Sequence, residues 1–315
     1  MVSSRNLVIA IVGPTASGKS ALAEALSSQL DGEIVSADSM QVYKGMDIGT
    51  AKTPPEKRGV AYHCIDLVTP DQAFSAATYQ NAARAAFEDI WRREKQPILC
   101  GGTGLYVRAA VDDFALGERE DTPLVHRERS ERRERLAHEA EELGPQAFHA
   151  KLTAVDPESA QLIHPHNVRR VVRAFEWLEE GSSYAEQVSG FDTYKEVFPT
   201  VHLGLDMPRE QLYSRIDRRV EEMIEQGLLG EVQGLLEQGY EQALTAQQAI
   251  GYKELLGVLR QEESLEAAVA QIQQASRHYA KRQLSWFRRD KRLTWLDARK
   301  PLNELTSEAR ALVTT

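Results

Sequence analysis

The stretch Gly13-Pro14-Thr15-Ala16-Ser17-Gly18-Lys19-Ser20 constrains this chain more than any other. It follows the apolar run Leu7-Val8-Ile9-Ala10-Ile11-Val12 and precedes a helical pattern from Ala21 to Leu30. A strand, a glycine-bounded loop with the spacing G-x-x-x-x-G-K-S, and a helix together make the P-loop pattern. The glycines let successive backbone N–H groups turn inward around an anion, and the helix N-terminus adds partial positive charge. Lys19 adds a mobile cation, and Ser20 a hydroxyl of the kind that ligates Mg²⁺. Residues 13–20 are therefore expected to hold a phosphate chain. Whether that phosphate belongs to a nucleotide is left open by the loop.

The elements that follow predict an α/β fold. Glu33 to Ser36 reads as a short strand ending at Ala37-Asp38-Ser39-Met40-Gln41, and Gly45 to Glu56 as a long loop. Val60 to Leu67 reads as a third strand, Ser75 to Arg93 as a helix, and Pro97 to Cys100 as a buried strand followed by Gly101-Gly102-Thr103-Gly104 and another helix. Strands alternating with helices imply a parallel sheet covered on both faces. Ligands of such sheets sit at the carboxyl ends of the strands. The P-loop, Asp38 and Thr103 all lie just past such ends, so three distant segments converge on one crevice.

From about Asp112 to Val197 the character changes to charged and helical, without a convincing strand. Arg127 to Leu143 reads as a solvated helix with pairs such as Glu128–Arg132 and Glu131–Arg135. Pro165 to Glu180 carries Arg169-Arg170-Val171-Val172-Arg173. The expected organisation is a P-loop core of residues 1–111 and 198–315 with an inserted helical subdomain, 112–197. Thr200 to Leu205 is a returning strand, Gln211 to Gly227 and Ser264 to Arg289 are helices, and Arg292 to Leu296 is a last strand.

Composition narrows the function classes. No apolar run is long enough to span a bilayer and no signal-peptide pattern is present, so cytoplasm is the expected compartment. The two cysteines, Cys64 and Cys100, stand in apolar stretches and read as reduced core residues. The net charge of −9 argues against indiscriminate nucleic-acid binding but leaves room for a local basic face. A P-loop usually suggests a kinase or an NTPase, which adds a strand-terminal Asp for Mg²⁺. Asp66 and Asp206 are the candidates, both after runs that polar residues interrupt.

Wider motifs point elsewhere. The P-loop, Asp38-Ser39-Met40-Gln41-Val42-Tyr43, Asp47-Ile48-Gly49-Thr50-Ala51-Lys52 and Gly101-Gly102-Thr103-Gly104-Leu105-Tyr106 closely resemble the bacterial tRNA dimethylallyltransferases. So do Ile163-His164-Pro165, Arg169 to Glu176, Ala249-Ile250-Gly251-Tyr252-Lys253-Glu254 and Tyr279 to Arg288, in order along nearly the whole chain. The resemblance implies transfer of a dimethylallyl group from its diphosphate to N6 of the adenosine immediately 3′ of the tRNA anticodon. The P-loop, with Lys19, Ser20 and Mg²⁺, would then hold a departing diphosphate. Asp38 would act as general base toward N6, and Thr103 would hold the amine or a phosphate oxygen.

The same resemblance places Arg215 and Arg219 at the diphosphate. It places Asp38, Ser39, Met40, Gln41, Thr103, Arg127, Arg169, Arg170, Val171, Val172, Arg173, Gln248 and Gly251-Tyr252-Lys253 at tRNA. Arg277, Lys281, Arg282, Arg288 and Arg289, interleaved with Tyr279, Trp286 and Phe287, form a basic strip suited to RNA. Two positions depart from relatives: Arg169 stands where some have Gln, and Lys253 where Arg is frequent. Monomer is the expected state. Blander readings stand beside these. Asp38 suits a turn or a cap, Thr103 a helix cap, and Arg169 to Arg173 surface pairs with Glu176 and Glu179. Rival activities are prenyl transfer to free adenine nucleotide, phosphoryl transfer, and RNA binding without turnover.

Overall fold

The computed structural model describes residues 6–113, 123–189, 194–240 and 249–314. They divide into two compact units, Met1–Leu116 with Glu196–Thr315, and Gly117–Lys195. In chain order, the first unit runs β1 (Val8–Val12), α1 (Lys19–Gln29), β2 (Gly32–Ser36), β3 (Tyr62–His63), α2 (Ala76–Arg92), β4 (Gln96–Gly101) and α3 (Gly104–Val111). The second holds α4 (Pro123–Leu143), α5 (Pro145–Val155), α6 (Pro157–Leu162), α7 (Val168–Glu179) and α8 (Tyr184–Ser189). The first unit resumes with β5 (Thr200–Asp206), α9 (Arg209–Glu225), α10 (Leu228–Glu237), α11 (Tyr252–Leu259), α12 (Leu265–Phe287), β6 (Thr294–Asp297) and α13 (Leu302–Thr314).

The six strands pair in the order β3-β2-β4-β1-β5-β6, every neighbouring pair parallel. All five residues of β1 are buried, because helices cover both faces of the sheet. Strand periodicity divides them: Val8, Ala10 and Val12 enter one core with Phe87 and Ile90 of α2, while Ile9 and Ile11 enter the other with Leu22 and Leu26 of α1. Helix α2 starts where Ser75 Oγ accepts the Thr78 N–H at 3.0 Å, an N-cap.

The strand expected over Val60 to Leu67 pairs only at Tyr62–His63. Beyond it Cys64 and Asp66 take left-handed φ of 59° and 53°, which no strand sustains. The bend brings Asp66 to the buried Lys52, whose Nζ donates to Asp66 Oδ1 at 2.6 Å, Asp47 Oδ1 at 2.7 Å and the Tyr43 carbonyl at 2.6 Å. A buried ammonium needs that many acceptors, and the chain turns to supply them.

At the start of β2, Glu33 is buried, with Arg93 and His63 on its carboxylate. The hydrogen bonds from Arg93, helped by His63, hold its carboxyl down at about 2 from an ordinary 4.5. A carboxyl lowered on folding stabilises the fold above its ordinary pKa, and that contribution is lost as pH falls through the folded value. An acid titration followed by circular dichroism should therefore lose stability between about pH 4.5 and 2. Glu33→Gln should flatten that limb.

Within the second unit, the arginines of α4 pair sideways. Arg132 reaches Glu179 at 3.1 Å and Glu180 at 3.2 Å, Arg133 reaches Glu176 at 2.9 Å, and Arg135 reaches Glu179 at 2.7 Å. The face is exposed as expected, and its arginines also form an ion-pair seam with α7. The seam forms because Leu136 and Ala140 pack with Val171 and Phe175 in one core and bring the two helices together.

Candidate active site at the strand ends

Strand β1 delivers the chain into the loop 13–20. Gly18, at φ +94°, takes the left-handed turn that starts α1. Several of the loop's polar groups are tied to the protein. Lys19 Nζ donates to the Pro14 carbonyl at 3.1 Å, and Arg219 Nη1 donates to Thr15 Oγ1 at 3.0 Å. The Thr15 N–H donates to Gln283 Oε1 at 2.8 Å. Ser17 Oγ is buried without a hydrogen-bond partner.

Asp38 stands two residues past β2, and its Oδ1 accepts the Met40 N–H at 2.9 Å, closing a tight turn. Thr103 stands two residues past β4, the strand beside β2. At the N-cap position of α3 its side chain makes no cap bond. Its Oγ1 accepts the Ser39 N–H at 3.0 Å instead, and lies 3.3 Å from Ser39 Oγ. The two strand ends are also stitched by backbone, Ala37 N–H to the Cys100 carbonyl at 2.8 Å and Thr103 N–H to the Ala37 carbonyl at 3.0 Å. The approach is so close that a Cβ on Gly101 would stand 2.1 Å from the Ala37 oxygen, so only glycine fits.

These segments open on a cavity of about 660 Å³ in the first unit. Of the expected phosphate residues, Thr15, Ala16, Gly18, Lys19, Ser20, Arg215 and Arg219 line it, while Gly13, Pro14 and Ser17 lie behind. Asp38, Ser39, Met40, Gln41, Gly251, Tyr252 and Arg282 line it too. Burial pushes the Lys19 ammonium below its ordinary pKa, with Arg219 acting the same way and Asp38 opposing. Burial likewise lowers Arg219, again opposed by Asp38. The phenol of Tyr279 is pushed up to about 12 by burial and then by the Asp38 charge. One carboxylate is thus felt by two cations and an aromatic hydroxyl around a single cavity.

Other expected contacts are placed differently. Tyr252 is buried, and its hydroxyl donates to Glu231. Lys253 is exposed and 3.4 Å from Glu254. In the basic strip, Arg277 pairs with Asp217, and Arg288 reaches Asp206 at 2.9 Å. Lys281 and Arg282 are exposed, with the Arg282 guanidinium 5.6 Å from the centre of the Tyr279 ring. In the second unit Arg169 and Arg170 are exposed on α7. Arg173 pairs with Glu176 at 3.0 Å and stacks over Trp177 at 4.6 Å. Val171 and Val172 face that unit's own core, so their side chains are turned away from any surface contact. The Arg127 side chain and Gln248 lie outside the described residues.

Sequence reasoning missed Gln283. It lies on the buried stripe of α12 with Ala280 and Phe287, a spacing visible in the sequence, and a polar residue there was the signal. Its Nε2 donates to the Gly102 carbonyl at 2.9 Å while its Oε1 takes the Thr15 N–H, so one amide joins the P-loop to the loop carrying Thr103. Gln283→Ala strands both groups and should cost about 1–3 kcal/mol. A lowered urea midpoint with an unchanged slope would show it.

Asp66 and Asp206, the carboxylates that phosphoryl transfer would need, are held by Lys52 and Arg288. The strand beside β1, β4, ends in glycines. The fold and cavity define a P-loop α/β protein in which the anion loop after β1 and the Asp38 carboxylate after β2, one strand removed, line the same cavity. A family model described as IPP transferase matches residues 41–290, and one described as isopentenyl transferase matches residues 6–62. Over 305 residues the chain is 43% identical to a tRNA dimethylallyltransferase of Bacillus pumilus, covering 96% of this chain and 92% of the relative. It is 45% identical to tRNA dimethylallyltransferase 2 of Geotalea uraniireducens, covering 92% of each. Among solved structures, a tRNA isopentenylpyrophosphate transferase from Staphylococcus epidermidis superposes with a TM-score of 0.71 at 40% identity, over 98% of this chain and 99% of that one. A eukaryotic dimethylallyltransferase acting on tRNA gives 0.75 at 31% identity, over 98% of this chain and 78% of its own. The chain belongs to the tRNA dimethylallyltransferase family of IPP transferases.

Proposed function

We propose that the protein transfers a dimethylallyl group from dimethylallyl diphosphate to N6 of the adenosine 3′-adjacent to the anticodon of tRNA. The observation that carries the reading is the convergence of Lys19, Arg219 and Asp38 on one cavity, with Thr103 fixing the loop that bears Asp38. In the reaction the allylic C–O bond breaks as the N6–C bond forms, and diphosphate leaves. Lys19, Arg219 and Arg215 neutralise the charge that develops on the leaving oxygens in a partly desolvated site. N6 sheds a proton as it attacks, and the Asp38 carboxylate accepts it. Its Oδ2 is free of the bond that ties Oδ1 to Met40, which leaves an oxygen for that task.

Among the described residues no group of three or more His, Cys, Asp or Glu gathers to hold a metal. The Ser20 hydroxyl at the cavity wall, together with diphosphate oxygens, is the donor set Mg²⁺ takes beside phosphates. Bound there, Mg²⁺ supplies further charge neutralisation. The target base must leave its stack at a cost of roughly a few kcal/mol. Arg169 and Arg170 on α7 of the second unit are exposed cations proposed to contact tRNA, and so, in the first unit, are Lys281 and Arg282.

Labelled dimethylallyl diphosphate, offered with unmodified tRNA and in parallel with AMP, tests the reading. Label is expected on tRNA alone. Label on AMP alone would make the chain an adenylate prenyltransferase, and triphosphate consumption without prenyl donor would make it a phosphoryl-transfer enzyme.

A further inference from the structure

Glu231 lies on α10, outside every motif that marked the site in the sequence, yet its carboxylate is the most heavily engaged near the cavity. Oε2 accepts the N–H groups of Asp47 at 2.9 Å and Ile48 at 2.7 Å. Oε1 accepts the Gly49 N–H at 3.2 Å and the Tyr252 hydroxyl. Three successive backbone donors on one carboxylate form a charge-assisted anchor about twice as strong as neutral bonds. Burial and the Glu231 charge raise the Tyr252 phenol far above its ordinary range, so it stays a donor. The loop is pressed onto Tyr252 as well: a Cβ on Gly49 would stand 2.4 Å from its ring.

The anchored loop continues into Thr50, whose carbonyl accepts Gln41 Nε2 at 3.1 Å. Ser36 Oγ donates to Gln41 Oε1 at 2.8 Å. A carbonyl only accepts, so Thr50 dictates which end of the Gln41 amide is nitrogen. Gln41 lines the cavity three residues past Asp38, on the same turn, and each end of its amide keeps further hydrogen-bonding capacity.

We propose that Glu231 is a positioning residue for the acceptor side of the cavity. By gathering the N–H groups of residues 47–49 and the Tyr252 hydroxyl, it sets the Thr50 carbonyl that orients Gln41 toward the incoming base. This rests on the transfer to tRNA proposed above. It also separates acceptor from donor: the P-loop, Lys19 and Arg219 make no bond with this chain of contacts.

Native-state amide exchange and steady-state kinetics on Glu231→Gln, Glu231→Ala and Tyr252→Phe test it. Glutamine keeps one acceptor oxygen, so it must release either the Asp47–Ile48 pair or the Gly49–Tyr252 pair. Glu231→Gln is expected to speed exchange at amides 47–49 and to lower kcat/KM for tRNA, each by roughly tenfold, as losing one or two charge-assisted bonds does. Glu231→Ala should lose more and Tyr252→Phe less, with KM for dimethylallyl diphosphate unchanged. Unchanged exchange, unchanged kcat/KM for tRNA, or equal losses toward both substrates would each overturn the proposal. If Glu231→Ala does not fold, the glutamine variant decides. If the wild type labels no tRNA, the functional reading fails, and exchange at 47–49 still decides whether Glu231 holds the loop.

Discussion

Asp38→Asn is expected to lower kcat by about 10² to 10⁴, the usual worth of a positioned general base. The asparagine is the sharper variant because its side-chain oxygen still accepts the Met40 N–H and preserves the turn, while the proton acceptor is gone. Asp38→Ala removes both. If the carboxylate serves as base, the two variants should lose similar amounts in kcat and bind tRNA with Kd close to wild type. A variant that kept full turnover, measured with labelled donor in a single-turnover experiment, would remove Asp38 from the chemistry and leave it as a turn residue.

The second large effect is expected at Lys19. Lys19→Ala removes the mobile cation of the cradle and should cost about 10² to 10³ in kcat, the range for deleting one preorganised donor to developing negative charge. The loss should fall on the donor side, with tRNA binding retained. The same group predicts a pH dependence. Burial and Arg219 hold the ammonium below the ordinary 10.5, so it discharges at a lower pH than a surface lysine. KM for dimethylallyl diphosphate should therefore rise on an alkaline limb that begins below 10.5, and that limb should be absent in Lys19→Ala. Bound diphosphate favours the charged form, so the limb in kcat should lie at higher pH than the limb in kcat/KM.

What was legible in the sequence was whatever periodicity or a glycine demands. The apolar runs of β1 and β4, and the P-loop between a strand and a helix, read directly because each is fixed by local chemistry. Asp38 and Thr103 were placed by the rule that ligands gather at strand ends. The rest depended on partners distant in the chain. The shortening of the third strand follows from Lys52, which lies before it, and the sideways pairing of Arg132 follows from Glu179 on another helix. Val171 and Val172 read as part of a basic contact because the arginines around them dominate the motif, yet a helix puts residues two positions apart on different faces. Gln283 and Glu231 act through backbone groups 181 to 268 positions away, which no local pattern encodes.

The pairing of Arg288 with Asp206 has a cellular corollary. A triphosphate ends in the same linked phosphates as a prenyl diphosphate, so a nest of this shape can admit one. The strands flanking β1 end in Gly101 on one side and, on the other, in Asp206 already paired with Arg288, so neither tip offers the free carboxylate that holds Mg²⁺ in phosphoryl transfer. A triphosphate seated there is expected to leave intact, competing for space with the prenyl donor, which a phosphate-release assay without donor would check.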